Sequence, residues 1–301
     1  MTRFKIYLKK FFKSFIPQFI LNVFKPGYND SDLRKMTASN IEINQKIIFQ
    51  FYQNSPISAF KESGFRVHSQ FEEDGLILFI FSKIGFTNKR GIEICCGPGY
   101  ECMLANLILY HGFDALLFDG SDYNIAKADA FFKGHPNTSL NHPTLAKEWL
   151  TKDNINDLLV KYNYTGEIDI LSMDIDGVDY YLMKAIDVIF PRLVICETNN
   201  VVPADVSVTI PYQSDFSKNF DDPLSDFRSV SILGMVRLMK SKGYRLIGHH
   251  RHGFNLLFLR NDVGSDFFPE IDHHECFKNR YTAARQKDWK TVQDQPWINI
   301  D

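Results

Sequence analysis

The chain has 301 residues, 45% of them hydrophobic, and a formal net charge of −2. That length suits one large α/β domain with appendages or two smaller domains, and the near-neutral balance gives no global reason to expect nucleic acid as a partner. Five cysteines without paired spacing argue for reduced thiols in a cytoplasmic compartment, and no window approaches the roughly 20 uninterrupted apolar residues of a membrane span.

The first stretch, MTRFKIYLKKFFKSFIPQFILNVFKPG, holds Arg3, Lys5, Lys9, Lys10, Lys13 and Lys25 with no acid before Asp30. Phe4, Leu8, Phe11, Phe12 and Phe15 fall at helical spacing, so residues 3–16 read as a basic amphipathic helix ending near Pro17. Such a helix suits the interface of an anionic membrane; the alternative is a helix packed on the protein's own body with solvated lysines. The lysines interrupt every candidate h-region of a secretory signal.

Residues 31–53 predict a polar to amphipathic helix, followed by a turn at NSPIS. FEEDGLILFIFSKIG predicts a second helix that stops at Gly85. From there β-rich runs, GIEICC, ALLFDG, DILSMDID and RLVICET, alternate with helical stretches at 102–111, 124–133, 155–161 and 180–189, the pattern of a parallel sheet wrapped by helices. Between Thr198 and Asp226, Pro203, Pro211 and Pro223 interrupt a stretch without clear period, which predicts a lid or substrate loop. A helix, a stop at Gly243, a strand, a turn at HHRHG and another strand close the domain as an antiparallel hairpin. The chain thus divides into a basic segment 1–27, a helical extension 28–65, a main domain 66–262 and a loosely organised C-terminal extension 263–301.

Gly97 and Gly99 lie between an apolar strand and an amphipathic helix, where absent side chains let the backbone approach a ligand in front of helix amides. A dinucleotide fingerprint would carry a third glycine at 102, where this chain has Cys102, so the NAD reading is the weaker one. Asp119 ends the strand ALLFDG twenty residues beyond Gly99 and can accept both hydroxyls of a ribose; its alternative role is to cap the next helix. Adjacent Cys95 and Cys96 point to opposite faces of a strand and cannot readily share a metal, and Cys102 at a helix start is a candidate thiolate, though small buried hydrophobes are the ordinary reading of all three.

In DILSMDIDGVDYY, Asp174 and Asp176 share one face of an extended chain at a strand end, Gly177 allows the turn, and Asp179 enters the first turn of a helix. Two carboxylates this close ask for a cation or a shared proton: a base, a divalent-metal site, or contacts to a cofactor. Glu197 at the end of RLVICET brings a third acid to the same rim. His249, His250 and His252 read as solvated residues of a surface turn, with a general base or metal role as the alternative.

Taken in order, SQFEEDG, GIEICCGPGYECMLANL, LLFDGS, DILSMDIDGVDYY, RLVICETNN and KGYRLIGHHRHGFNLLFLRND resemble the FkbM-type class I S-adenosylmethionine-dependent methyltransferases over about residues 66–262, in particular a bacterial branch found with glycan biosynthesis. The resemblance implies a doubly wound, mostly parallel seven-stranded sheet with an antiparallel C-terminal hairpin. It implies that Glu93, Gly97 and Gly99 form the methionine-binding loop, that Asp119 holds the ribose, that Gln70 and Asp74 lie close to the cofactor, and that Asp174 and Asp176 face the transfer site. His249 and His250 are reserve bases, and Asp174, Asp176 and Glu197 a candidate divalent-metal set. The expected activity is transfer of a methyl group to a hydroxyl of a sugar in a cell-surface glycan or a lipid-linked precursor, in the cytoplasm at the inner face of the membrane. Pro98 and the Cys95–Cys96 pair depart from the common residues of the glycine loop. The competing readings are a metal-dependent glycosyltransferase using Asp174 and Asp176 as an Asp-x-Asp site, and a catalytically inactive methyltransferase-like scaffold attached to a membrane.

Overall fold

The computed structural model describes residues 30–138, 141–219 and 221–301; the basic segment at 3–16 lies outside them. In chain order the main elements are α1 (Asp30–Asn54), α2 (Glu73–Ile84), β1 (Arg90–Ile94), α3 (Ala105–His111), β2 (Asp114–Asp119), α4 (Asp122–Lys133), β3 (Thr144–Lys147), α5 (Ile155–Lys161) and β4 (Gly166–Met173). They continue as α6 (Asp179–Ala185), β5 (Ile189–Glu197), β6 (Val208–Thr209), α7 (Ile232–Ser241), β7 (Tyr244–His249), β8 (Asn255–Arg260), α8 (Arg280–Arg285), α9 (Trp289–Val292) and β9 (Ile298–Asn299).

Seven strands form one sheet in the order β3-β2-β1-β4-β5-β8-β7, parallel from β3 to β5 and antiparallel at β8 and β7. The central strands are buried on both faces, which is why they read as nearly unbroken apolar runs. Their side chains divide by pleat: on β5, Val194 and Cys196 enter one core with Met183 of α6 and Met235 of α7. Leu193 and Ile195 enter the other core, with Phe79 of α2, Leu107 of α3 and Phe132 of α4. Helices therefore cover both faces of the sheet.

The chain leaves β1 toward β2 and β3, then returns to the other side of β1 for β4 and β5. At that reversal the loops beyond the carboxyl ends of β1 and β4 diverge and open a crevice, the place where open α/β sheets bind ligands. Every strand-end acid singled out in the sequence sits on this rim: Asp119 is the last residue of β2, Glu197 the last of β5, and Asp174 follows β4.

Three features differ from the sequence reading. The helix expected at 180–189 ends at Ala185, because β5 begins at Ile189. β3 has only four residues, with a single buried side chain, too little pattern to register in the sequence. The C-terminal extension is built onto the domain rather than loose: β9 pairs with β6, and Arg285 bonds Asp226 of the predicted lid and Asp288 of its own segment. No helix among the described residues is long and apolar enough to cross a membrane.

Candidate active site

A cavity of about 410 Å³ occupies the crevice, walled by Cys95 and Gly97 after β1, Asp119 to Ser121 at the end of β2, Trp149, Asp174 to Asp176 after β4, and Ser214, Phe216, Ser217 and Lys218 of the lid. Gly97 has φ +56°, a backbone that glycine adopts without strain, and no atom lies within 4 Å of where its Cβ would stand. Its amide donates to Asp119 Oδ2 at 3.0 Å. Gly99, at φ +84°, has a different job: an added Cβ would stand 3.0 Å from Ala128 Cα, so it permits the loop to pack on α4.

Asp119 also accepts from the amide of Ser121 at 2.8 Å and from the Asn124 side chain at 3.2 Å on both oxygens. The helix that follows is capped by Ser121, whose hydroxyl accepts from the Asn124 amide, so Asp119 is free of the capping role weighed for it. Trp149 stands over Gly120, where a Cβ would meet its ring at 2.7 Å, and donates its indole N–H to the Ser214 carbonyl at 2.7 Å. It is half exposed and gives the cavity a broad apolar wall tied to the lid.

Glu93 is placed differently from the expectation that it binds cofactor. Its buried carboxylate accepts from the amides of Met103 and Leu104, each at 2.8 Å, and from the Cys102 thiol at 2.8 Å. It lies behind the loop and anchors the approach to α3; burial pushes its carboxyl up to about 7, with the Cys102 hydrogen bond opposing. The same bond removes the thiolate reading of Cys102, whose thiol is pushed well up by burial and by the neighbouring Glu93. Asp74 likewise serves a loop, its Oδ2 accepting from the amides of Val67, His68 and Ser69. Gln70 is exposed, and neither Gln70 nor Asp74 lines the cavity.

At the far side of the crevice the sequence-predicted acids do converge. Ligand oxygens of Asp174, Asp176 and Glu197 all lie within 4.8 Å of one another. Burial and the adjacent Asp174 carboxylate push the Glu197 carboxyl well above its ordinary range. Two cations answer them: Lys218 donates to Asp176 at 3.0 Å, and Arg228 to Asp176 and, at 2.9 Å, to Glu197. Asp179 holds the turn, accepting from the amides of Ile175 and Gly177 and from the Ser229 hydroxyl; burial pushes its carboxyl up to about 6. Non-glycine residues at positive φ gather here: Cys95 at +67°, Asp176 at +60° and Ser229 at +53°. Strain of this kind persists only where surrounding bonds over-determine it.

The sequence reading missed Lys218 and Arg228 as members of the site. They stand 42 and 52 residues after Asp176, Lys218 inside the predicted lid and Arg228 just beyond it, and the prolines that marked the lid said nothing of either cation. The histidine turn is corrected as well. His250 is fully buried among Phe71, His252 and Phe254, accepts the Asn255 amide on Nδ1, and is pushed down to about 3 chiefly by burial. His249 is bonded to the His250 carbonyl and lines a separate cavity of about 930 Å³ beside β7; neither histidine lines the crevice cavity.

No family model matches the chain, and no curated protein matches it. Among solved structures, the N-terminal domain of EvdMO1 with SAH bound is similar at 13% identity, covering 74% of this chain and 96% of that one, with a TM-score of 0.43. The CcbJ methyltransferase from Streptomyces caelestis is similar at 14% identity over 69% of this chain and 97% of that one, TM-score 0.38. The mitomycin 7-O-methyltransferase MmcR is similar at 14% identity over 62% and 52%, TM-score 0.38. The strand order and the antiparallel last pair are those of the Rossmann-like class I methyltransferase fold, mostly parallel and doubly wound.

Proposed function

We propose that the chain is an S-adenosylmethionine-dependent O-methyltransferase acting on a sugar hydroxyl of a cell-surface glycan or its precursor. The observation that carries this reading is the crevice cavity itself, with the open backbone of Gly97 on one wall, Asp119 at its base and a carboxylate rim opposite. The residues fit the cofactor: Asp119 would accept from ribose hydroxyls, sharing its oxygens with Asn124, and Trp149 offers a flat face to an adenine. When bound, S-adenosylmethionine supplies an electrophilic methyl group on a positively charged sulfur.

An alcohol is a poor nucleophile while it keeps its proton, so the chain must supply a place for that proton. Glu197, its carboxyl pushed well above the ordinary range by burial and by the Asp174 carboxylate beside it, is the rim acid placed to take that proton. Asp176, Asp174 and Glu197 would equally hold a divalent ion, an all-oxygen set suited to Mg²⁺ or Mn²⁺, after Lys218 and Arg228 withdraw. Ser214, Ser217 and Lys218 line the lid side with the polar groups a polyol acceptor needs. The basic segment at 3–16 would bring the site to an anionic membrane carrying a lipid-linked acceptor.

The test is transfer of labelled methyl from S-adenosylmethionine to a panel of sugars, nucleotide sugars and lipid-linked glycans. The expected result is label on a sugar oxygen, reduced on Glu197→Gln. Label only on catechols or other non-sugar hydroxyls would overturn the acceptor class. Manganese-dependent hydrolysis of a nucleotide sugar without methyl transfer would favour the glycosyltransferase reading of Asp174 and Asp176.

A further inference from the structure

A second set of metal-type donors lies outside the crevice, between the foot of the lid and the C-terminal tail. Donor atoms of Asp205, His273 and His274 all lie within 4.8 Å of one another. Asp205 follows β5 by eight residues, whereas the two histidines open a short 3₁₀ turn in the tail.

We propose that Asp205, His273 and His274 form a site for a divalent transition metal of the Zn²⁺ class that clasps the lid to the tail. The first argument is orientation. Asp272 caps the turn, accepting from the His274 amide at 2.9 Å, and lies 2.6 Å from His274 Nδ1. A proton held on Nδ1 by that carboxylate leaves the Nε2 lone pair as the free donor, the arrangement typical of metal-bound histidine. Nε2 then faces Asp205 Oδ1 at 3.3 Å, a lone pair against a carboxylate oxygen, and the pair needs a cation between them, either a proton or a metal.

The second argument is spacing. Ligands at about 2.0–2.1 Å around a tetrahedral ion stand roughly 3.3 Å apart, the separation of His274 Nε2 and Asp205 Oδ1. His273, whose Nε2 lies 3.2 Å from the Ala204 carbonyl and whose Nδ1 lies 3.4 Å from Asp272 Oδ1, brings the third donor within 4.8 Å of the other two. The third argument is donor chemistry. Imidazole with carboxylate selects Zn²⁺, Ni²⁺ or Cu²⁺, whereas the all-oxygen rim at Asp174, Asp176 and Glu197 selects harder ions. Asp205 and His274 are exposed, so an ion reaches the clasp without opening the core.

The test uses the tag-free full chain, stripped with chelator and titrated with Zn²⁺ by calorimetry in excess Mg²⁺. The expected result is one saturable site, weakened at least about 10-fold by His274→Ala and about 10-fold by Asp272→Asn, and unchanged by Asp176→Asn. Saturating Zn²⁺ should raise the wild-type Tm by roughly 3–5 °C and leave that of His274→Ala unmoved. The proposal is overturned by absence of saturable Zn²⁺ binding, by binding that survives His274→Ala intact, or by binding lost in Asp176→Asn. All three substituted side chains lie on the surface or rim, and circular dichroism confirms that the variants fold.

Discussion

At the amino end of β4, Asp169 accepts from the amides of Thr87, Asn88 and Lys89 and from Arg192 at 2.7 Å. At the carboxyl end of the same strand, Asp174 and Asp176 crowd with Glu197, and the cations that answer them arrive on a loop. Asp169 is fully buried and has a donor for each lone-pair direction, so it holds the strand ends together and has nothing left to offer a ligand. Asp174 and Asp176 are partly exposed and stand on a turn held by Asp179 in a strained backbone, beside a Glu197 carboxyl that burial and Asp174 push well above its ordinary range. One residue type on one strand thus serves stability where its partners are built in, and chemistry where its partners can leave.

The largest effect expected from this contrast falls on Asp169→Ala. It leaves Arg192 buried without its carboxylate and three amides without an acceptor, and should cost about 3–5 kcal/mol in denaturant unfolding. Asp174→Asn and Glu197→Gln should do the reverse, leaving stability within about 1 kcal/mol while slowing methyl transfer roughly 10²- to 10⁴-fold. Equal loss of stability at both ends would erase the distinction.

Buried acids that serve the loops give a smaller, pH-dependent effect. Glu93 and Asp179 have folded-state pKa values raised to about 7 and about 6, so the folded state keeps protons that the unfolded chain releases. Their contribution is fully present below the unfolded carboxylate range and is lost as pH rises through those values. His250, lowered to about 3, acts in the opposite sense, its contribution growing as pH rises and levelling off only above the ordinary histidine value of 6.5. Comparing wild type with Glu93→Gln cancels the shared histidine contribution; the variant should lack a decline of about 2–3 kcal/mol between pH 4.5 and 7.5. Parallel curves would contradict the anchoring role. The smallest effect concerns Cys95, held at φ +67°: Cys95→Gly should raise stability by about 0.5–1 kcal/mol, read as a shift in the urea midpoint, and a loss would show that its side chain is needed.

The contrast between the two ends of β4 also explains what the sequence makes legible. Strand runs, the glycine turn and terminal acids announce the crevice because strand direction alone puts Asp119, Asp174 and Glu197 on one rim. Pairings between distant segments leave no local pattern. Nothing near Glu93 signals that its carboxylate turns inward to the amides of Met103 and Leu104, and nothing near Arg228 signals its bond to Glu197. The histidine turn looked solvated because its polar letters conceal the aromatic shell that Phe71 and Phe254 place around His250. Trp149 follows a four-residue strand too short to mark its position, so its place over Gly120 becomes visible only in three dimensions.

The most direct measurement is calorimetric titration of the purified chain with S-adenosylhomocysteine, repeated with Asp119→Ala. The account predicts one saturable site in the wild type, with binding lost in a variant that keeps its fold. Wild-type protein that is folded yet binds nothing, or a variant that binds as well as wild type, would contradict the assignment of the crevice to an adenosyl cofactor.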